Sequence, residues 1–594
     1  MTQNNASAGS LPLVTILSDT GEQRIPFDAA QHTNLLDALR FEGVYLPAIC
    51  GGRGTCGKCR VKVVSGNLDV PAASGACLSE ADINAAFRLA CNAVPREDIT
   101  ILIPETGEQS FHTVNSFDLE SIGPQADLKA EELIPERNAL SFARQLDGGK
   151  PGRLSLKELT AISQCADMAA VYLYRDRGTI LSVRDKPGNL YGIAIDIGTT
   201  TIALVLVDLL WGLIAGRVSM VNKQREFGAD VISRIQRANK GDLPQLTKSV
   251  RQQISRGIGE LCRDAGIASA GVCKIAVAAN TTMLHLLLGL SCNTLGQFPF
   301  TPVTLDFVTC AFPELFEGNL SCDVTILPGI STYVGADITA GIYFTEMHKS
   351  AEPSLLMDIG TNGEMALAFA GKLLCAATAA GPAFEGGNMQ WGTGSVPGAI
   401  SQVSYREGLF EVKTIADRPP VGICGSGVVD TVWAGLQNGL IHESGRFDKA
   451  VPPSGLFLAK NPEGEDICFG QKDIRELQLA KSAICSGIDA IVRHAGLAYD
   501  DIRNVYIAGG FGYNLNFESG AGIGLIPPPL QPKITLIGNS ALGGTVKYLL
   551  RGDSAEEMNA ITALASEYSL PEDRYFNKIF IGNLNFAAGH EDDR

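Results

Sequence analysis

Two near-copies of one pattern stand out when apolar and polar positions are followed along the chain. Residues 192–195 are small or apolar, and they are followed by an aspartate, a glycine step and a returning strand at 202–208 that is apolar up to residue 207. The pattern returns at residues 355–358, with its second apolar run at 365–368. Short runs that are apolar at every position are typical of strands buried on both faces, and a glycine step between two of them predicts a tight hairpin.

The polar tips of these two predicted hairpins suit phosphate. A tight glycine turn exposes backbone N–H groups and threonine hydroxyls, which bind phosphate oxygens well. An aspartate at each turn suits Mg²⁺, which prefers carboxylate oxygens and keeps much of its water. The alternative is two ordinary hairpins with polar tips. Because the motif occurs twice, each time after a buried strand, the phosphate interpretation is favoured.

A third glycine motif lies further along the chain. Residues 505–508 predict a buried strand that ends at Gly509 and Gly510, where flat backbone can lie against a purine. This motif is weak alone and gains weight from its position after the two aspartate turns. A long amphipathic helix is predicted between them, near residues 473–495.

Other features between residues 222 and 430 leave alternatives open. The polar run at 222–230 is either a solvated loop or a loop of a site, and Asp337 stands at a turn before a helix. Two glycine-rich stretches, at 379–387 and 422–430, are not decisive. We expect His285 to be a helix residue with its hydrogen bonds satisfied, and not a metal ligand.

The first hundred residues predict a small domain of short strands and one helix. Strands are predicted at 14–17, 24–27 and 99–104, and an amphipathic helix at 35–40 with Asn34 or Thr33 as its N-cap.

Four cysteines in this region have the spacing of metal ligands: Cys50, Cys56, Cys59 and Cys91. Three of them share a glycine-rich loop, and 31 residues separate the third from the fourth. Iron–sulfur clusters need several thiolates around a small volume, with backbone wrapped closely about them. Structural zinc usually takes two C-x-x-C-like pairs, so a [2Fe–2S] cluster is favoured over zinc and over unligated cysteines. Cys77 lies outside the pattern and is interpreted as a bystander.

Composition limits the class of protein. A chain of 594 residues is too long for one core, and its 45% hydrophobic and 19% charged content is ordinary for a water-soluble protein. The net charge of −16 argues against nucleic acid and anionic membrane as main partners. We found no apolar run of transmembrane length and no secretory signal at the start, so a cytoplasmic location is expected.

The cysteine block resembles the ferredoxin-type [2Fe–2S] domain, a β-grasp fold, with five residues in the first gap as in its adrenodoxin-like branch. The three glycine motifs resemble the phosphate-1, phosphate-2 and adenosine segments of the actin, Hsp70 and sugar-kinase (ASKHA) superfamily. The order of these parts resembles the reductive activators of corrinoid proteins. The expected architecture is α/β and multidomain: a [2Fe–2S] domain at 11–104, a linker at 105–125, a small α+β middle domain at 126–190, and a two-lobed ribonuclease-H-like ATPase domain at 191–594.

The resemblance also implies roles for residues. Asp196 and Asp358 would serve Mg²⁺ and phosphate positioning, and Glu364 would orient the attacking water. Phosphates would be held by Gly198, Thr199, Thr200, Gly360, Thr361, Asn362 and Gly363, while Gly509 and Gly510 would flank adenosine.

The function implied by the resemblance is ATP-dependent reduction of Co(II) to Co(I) in the corrinoid protein of a methyltransferase system. The implied cofactors are a [2Fe–2S] cluster, ATP and Mg²⁺, and the implied partners are the corrinoid protein and an electron donor. The middle domain, with a helix predicted at 155–159 and strands predicted at 169–174 and 178–183, is interpreted as a spacer or as a module for a homodimer. The alternatives are a small-molecule kinase with an accessory redox domain and an ATP-sensing scaffold.

Overall fold

The computed structural model describes residues 11–18, 21–30, 32–42, 44, 46, 59–69, 78, 80–103, 128–134, 159, 163, 171–176, 179–184, 186–267, 271–509 and 515–586. Cys50, Cys56, Cys77, Gly510, the predicted linker at 105–125 and most of the predicted helix at 155–159 lie outside these ranges. Among the described residues, no helix combines the length and the apolar character needed to span a membrane.

The N-terminal domain is a mixed sheet that holds one helix against its core. Its strands are β1 (Leu13–Ser18), β2 (Gly21–Pro26), β3 (Arg60–Ser65), β4 (Leu68–Asp69), β5 (Phe87–Leu89), β6 (Val94–Pro95) and β7 (Ile99–Leu102), and its helices are α1 (Leu35–Phe41) and α2 (Glu80–Asn84). The sheet order is β2-β1-β7-β3-β5, with β1 and β7 parallel. Asn34 is the N-cap of α1, since its Oδ1 accepts a hydrogen bond from the Asp37 N–H at 3.0 Å.

A small antiparallel sheet connects this domain to the rest. It consists of β8 (Leu128–Leu133), β9 (Val171–Asp176) and β10 (Thr179–Arg184), in the order β10-β9-β8. Within the described residues, the strands predicted at 169–174 and 178–183 are confirmed as β9 and β10, while β8 had no clear signal in the sequence. Tyr174 of β9 packs in one buried cluster with Val205 and Leu549 of the C-terminal region, so the small sheet is attached to that region.

The first lobe of the C-terminal region is a six-stranded sheet with helices. Its elements are β11 (Tyr191–Ile197), β12 (Thr201–Asp208), β13 (Leu213–Val221), α3 (Val231–Arg237), α4 (Leu243–Asp264), β14 (Val272–Ala279), α5 (Thr281–Leu288), β15 (Val308–Ala311), α6 (Phe312–Leu315), β16 (Asp323–Ile326) and α7 (Ala336–Thr345). The sheet order is β13-β12-β11-β14-β16-β15.

The second lobe repeats this plan with additions. Its elements are β17 (Ser354–Ile359), β18 (Gly363–Phe369), β19 (Lys372–Thr378), β20 (Ala399–Arg406), β21 (Leu409–Thr414), β22 (Gly422–Ile423), α8 (Gly425–Gln437), β23 (Leu456–Lys460), β24 (Asp466–Phe469), α9 (Gln471–His494), β25 (Asn504–Ala508), α10 (Phe517–Gly522), β26 (Ile534–Gly538), α11 (Ser540–Leu550), α12 (Ser554–Leu564), β27 (Ala565–Glu567) and α13 (Arg574–Gly582). The long helix predicted at 473–495 is α9.

The two lobes share one strand order, which positions the site. In the first lobe β12-β11-β14-β16 runs antiparallel, parallel, parallel, and β18-β17-β25-β26 does the same in the second. Helices α7 and α11 cross between the lobes at small residues: a Cβ on Gly544 would collide with the Ala340 carbonyl, and one on Gly341 would come within 2.9 Å of Ser540 Oγ. The two-lobed fold predicted from the sequence is confirmed.

Candidate nucleotide cleft and cluster site

The first predicted phosphate turn closes a regular antiparallel hairpin between β11 and β12. Asp196 lies opposite Ala203, and the Gly198 N–H donates to the Thr201 carbonyl at 2.8 Å. A Cβ on Gly198 would come within 2.8 Å of that same oxygen, so the turn has no room for a side chain there. Thr199 is buried and Thr200 is half-buried at the tip.

Buried polar side chains from three other elements support this first turn. Asn222 donates from Nδ2 to the Gly198 carbonyl at 2.8 Å, and Asn280 donates from Nδ2 to Thr199 Oγ1 at 3.2 Å. The guanidinium of Arg234, which has no exposed surface, donates to the carbonyls of Thr199 and Gly228. These hydrogen bonds hold the backbone of the turn in place.

The polar run at 222–230 is therefore a loop of the site. Its middle forms one turn of 3₁₀ helix at Lys223–Glu226, and Gln224 is buried with its Nε2 donating to the Leu246 carbonyl at 3.0 Å. Asp230 then caps α3, accepting from the Ser233 N–H at 2.7 Å. The sequence alone leaves the role of this loop undecided, and Arg234 and Asn280 were not among the predicted site residues.

The second predicted turn closes an antiparallel hairpin between β17 and β18 that is one residue shorter than the first. Asp358 lies opposite Glu364, so both side chains are on one face of the sheet, and the Gly360 N–H donates to the Asn362 carbonyl at 3.0 Å. Gly363 is required by packing, because a Cβ there would collide with Ile484 Cδ1 of α9. The long helix thus lies directly against the second turn.

The third glycine motif meets the second turn. Gly509 follows β25 with a φ of +93°, and its N–H donates to the Gly538 carbonyl at 3.0 Å. A Cβ on Gly509 would come within 2.8 Å of Asp358 Oδ1. The structure therefore brings Gly509 beside Asp358, while Gly510 lies outside the described residues.

Four acidic side chains converge on the cleft between the lobes. Burial raises the pKa of Asp196 and of Asp358 to about 7 and that of Asp337 to about 6, and the neighbouring carboxylates add to the shift of Asp358. Burial also raises the pKa of Glu364 well above its usual range, with Asp337 and Asp358 contributing. Like charges in a poorly solvated site favour protonation, and a divalent cation would compensate for them.

The arrangement suits a cation bound through water. Among the described residues, no three Cys, His, Asp or Glu side chains form a direct ligand group for a metal ion. Mg²⁺ keeps several waters and is bound by one or two carboxylates plus substrate phosphates, so Asp196 and Asp358 fit it in that way. Asn539, which the sequence analysis missed, donates to Asp196 Oδ2 at 2.8 Å and caps α11.

The two turns face each other across the cleft. Thr200 Oγ1 and Thr361 Oγ1 are 3.4 Å apart, although 161 positions separate them in the chain. Both hydroxyls also donate to the carboxylate of Glu385, which the sequence analysis did not identify. The only signal for Glu385 was its position in the glycine-rich stretch at 379–387.

In the N-terminal domain the structure brings two of the four predicted cluster ligands together. The Sγ atoms of Cys59 and Cys91 lie 3.3 Å apart, too far for a disulfide bond of about 2.05 Å. They are held by backbone, since the Ala90 N–H donates to the Cys59 carbonyl at 2.8 Å. Two adjacent, nearly buried thiols fit an iron–sulfur site. Cys50 and Cys56 lie outside the described residues.

His285 is not a ligand. Its Nδ1 pairs with the Thr281 carbonyl at 2.8 Å, and its Nε2 accepts from the Val303 N–H at 2.9 Å. Both ring nitrogens are therefore used within the protein, as the sequence analysis expected.

Three protein-family models match consecutive parts of this chain. A 2Fe-2S iron-sulfur cluster binding domain matches residues 19–96, the RACo middle region matches 191–350, and the C-terminal domain of RACo, the ASKHA domain, matches 352–593. The N-terminal domain is thus a [2Fe–2S] domain, and the second lobe lies in an ASKHA domain.

Two proteins are similar in sequence to long parts of this chain. The corrinoid activation enzyme RamQ of Eubacterium limosum is 30% identical over 588 residues, which is 94% of this chain and 97% of that protein. A [Co(II) methylated amine-specific corrinoid protein] reductase of Methanosarcina barkeri is 28% identical over 300 residues, which is 46% of this chain and 53% of that protein.

A solved structure agrees with these relatives. The reductive activator for a corrinoid, iron–sulfur protein superposes with a TM-score of 0.71 at 31% identity, and the match covers 96% of this chain and 98% of that one. A match over nearly the full length of both chains covers the iron–sulfur domain and both lobes together. The chain therefore belongs to the family of reductive activators of corrinoid proteins.

Proposed function

We propose that this protein reduces the Co(II) of a separate corrinoid protein to Co(I), one electron at a time, in a reaction that uses ATP. The observation that carries the proposal is the presence in one chain of the Cys59–Cys91 thiol pair and of a cleft where Thr200 and Thr361 face each other at 3.4 Å. Family membership supports the corrinoid substrate. A small-molecule kinase or an ATP sensor has no use for a one-electron carrier, so we favour the activator over both.

The iron site in this proposal is formed by Cys50, Cys56, Cys59 and Cys91 as thiolates. When bound, a [2Fe–2S] cluster supplies a one-electron donor of low potential. The chain contributes shielding, because the exposed fraction is 1% for Cys59 and 6% for Cys91. Burial of the ligands is one of the factors that set the potential of such a site.

The nucleotide site in this proposal lies between the two lobes. Backbone N–H groups and side chains of the two turns hold the phosphates: Gly198, Thr199, Thr200, Gly360, Thr361, Asn362 and Gly363. Asp196 and Asp358 hold Mg²⁺ through water, and Gly509 and Gly510 flank adenosine. Glu364 orients the attacking water, which its place opposite Asp358 on the same face of the sheet supports.

ATP is needed in this proposal because the electron moves uphill. Plant-type [2Fe–2S] centres have potentials near about −400 mV, and the family implies a cobalt couple that is lower still. Each ~59 mV of uphill one-electron transfer costs about 1.4 kcal/mol. A nucleotide can offset that cost only by binding one state of the protein complex more tightly than the other. A cleft that contacts phosphates from both lobes can make that distinction.

We also propose an electron donor as a second partner and the cytoplasm as the location. The net charge of −16 supports partners other than nucleic acid and anionic membrane. The small sheet at β8–β10 is proposed as a spacer or as the contact of a homodimer. Size measurements of the iron-loaded protein in solution would test the homodimer directly.

A coupled assay tests the proposed function against the kinase alternative. ATP turnover of the iron-loaded protein is measured alone, with a Co(II) corrinoid protein, and with a panel of sugars and carboxylic acids. We expect stimulation by the corrinoid protein only. Stimulation by a metabolite, with transfer of phosphate to it, would establish a kinase instead.

The cluster assignment has its own test with a matched control. We expect Cys91→Ser to lose iron and the EPR signal of the reduced protein, since one of four thiolates is removed. Cys77→Ser is the control, because that cysteine is outside the ligand pattern, and it should keep both. The opposite result for the two variants would make the assignment wrong.

A further inference from the structure

The carboxylate of Glu385 links the two lobes through the two phosphate turns. Its Oε2 accepts a hydrogen bond from Thr361 Oγ1 of the second lobe at 2.7 Å and another from Thr200 Oγ1 of the first lobe. The partner in the first lobe lies 185 positions away in the chain. One side chain thus joins the tips of both hairpins.

Glu385 is held firmly in this position by its local structure. It ends a short 3₁₀ helix, Pro382–Glu385, whose residues Ala383 and Phe384 are buried in the core of the second lobe. The following Gly386 has a φ of +72°, and the Gly387 N–H donates to the Pro382 carbonyl at 2.7 Å. The backbone that carries the Glu385 side chain is therefore held by a packed element, and the carboxylate reaches both hydroxyls from there.

Neither threonine hydroxyl can donate a hydrogen bond to Glu385 and to a phosphate at the same time. A hydroxyl carries one proton and can donate it to one acceptor at a time. Phosphate oxygens and an ionised carboxylate are both negative acceptors, so they also repel each other within the same few ångströms. Hydrogen bonds to ionised groups are stronger than neutral ones, which makes the contact with Glu385 a real competitor.

We propose that Glu385 is a latch between the lobes: it closes the nucleotide-free cleft, and nucleotide phosphates must displace it from Thr200 and Thr361. This inference rests on the proposed ATP site. It makes Glu385 a positioning residue that acts against binding, with its largest effect on the nucleotide that carries the most phosphate charge. Removal of the carboxylate should therefore increase affinity, which is the reverse of what a phosphate or Mg²⁺ ligand would show.

The first test is nucleotide affinity measured by calorimetry on the iron-loaded full chain. We expect Glu385→Ala to bind Mg–ATP roughly tenfold more tightly than wild type. If the latch leaves only ~10% of the wild-type protein in the state that binds nucleotide, removal of the latch makes that state dominant. Glu385→Gln should tighten less, because its amide oxygen still accepts a neutral hydrogen bond. The gain should be smaller for Mg–ADP, and Glu411→Gln, an exposed control in β21, should change nothing. Unchanged or weaker binding in both Glu385 variants would overturn the latch.

Hydrogen exchange gives a second readout that does not depend on turnover. In the nucleotide-free protein, backbone amides of the two turns should exchange faster in Glu385→Ala than in wild type, and equally once Mg–ATP saturates both. Equal exchange in the nucleotide-free proteins would also overturn the latch. If wild type binds Mg–ATP and the variants gain nothing, only the latch fails. If neither wild type nor the variants bind it, the proposed function fails and the latch falls with it.

Discussion

The two phosphate turns both close antiparallel hairpins, but they are stabilised in two different ways. The first turn is held by buried polar groups, with Asn222 and Arg234 donating to its carbonyls. The second is held by close packing, with Gly363 pressed against Ile484 of α9. A hairpin that carries this motif can thus be stabilised by hydrogen bonds or by close packing. The shared motif predicts the chemistry of both turns, whereas the effect of a mutation depends on the residues that stabilise each turn.

The largest expected effect concerns the aspartate that each turn carries. Asp196→Asn and Asp358→Asn should each lower ATP turnover about 100- to 1,000-fold, because each removes charge that positions the cation and the phosphates. Turnover per bound iron is the measurement, with Glu411→Gln as a control of equal chemistry at an exposed position. Wild-type turnover in both aspartate variants would remove the ATPase from the account.

The next prediction concerns the buried polar contacts that stabilise the first turn. Arg234→Met should lower the free energy of unfolding by about 2–4 kcal/mol, because the buried carbonyls of Thr199 and Gly228 lose their donor. Urea unfolding measures this loss, and Arg234→Lys should lose less because it can keep one of the bonds. A change below about 0.5 kcal/mol for Arg234→Met would show that the polar support of the first turn carries little stability.

A packing mutation should act on the second turn. Gly363→Ala should destabilise the protein by about 1–3 kcal/mol, because the new methyl group overpacks against Ile484. The double variant with Ile484→Val should recover part of the loss, which a double-mutant cycle measures. Gly198→Ala has no such rescue, because its clash is with the backbone carbonyl of Thr201. Strict additivity of Gly363→Ala and Ile484→Val would contradict the packing explanation.

The last prediction concerns protons in the cleft. Burial raises the pKa of Asp196 from 3.8 to about 7, so between these pH values the folded protein holds a proton that the unfolded chain has released. Its contribution to stability is therefore present at low pH and is lost as the pH rises through about 7. The stability of Asp196→Asn relative to wild type should accordingly increase with pH over this window in metal-free protein. If the relative stability instead decreases with pH, folding lowers the pKa of Asp196, and the prediction is wrong.

Much of this fold could be predicted because its signals are local. Runs that are apolar at every position, with a glycine step, gave both hairpins, and the apolar face of residues 473–495 gave α9 within two residues at its N-terminus. The expectation that Cys59 and Cys91 belong to one site followed from the spacing and chemistry of the four cysteines. These features depend on residues that are near in sequence or identical in type.

The support of the site could not be predicted because it is long-range. Arg234 lies 35 positions from the carbonyl it holds, and Glu385 lies 185 positions from Thr200. Each side chain sits in a polar or glycine-rich segment that reads equally well as a surface loop. Gly363 was interpreted as a phosphate contact only, and its packing against α9 depends on the fold. The sequence thus showed the chemistry of the turns without showing what holds them.

The most direct test of the central claim follows cobalt itself. Reduced, iron-loaded protein is mixed with a Co(II) corrinoid protein, and Co(I) is followed by its visible absorption in three arms: with Mg–ATP, without nucleotide, and with Mg–ATP and Asp358→Asn. The account predicts Co(I) in the first arm and little in the other two. Equal Co(I) in all three arms, or none in any with several corrinoid partners, would contradict it.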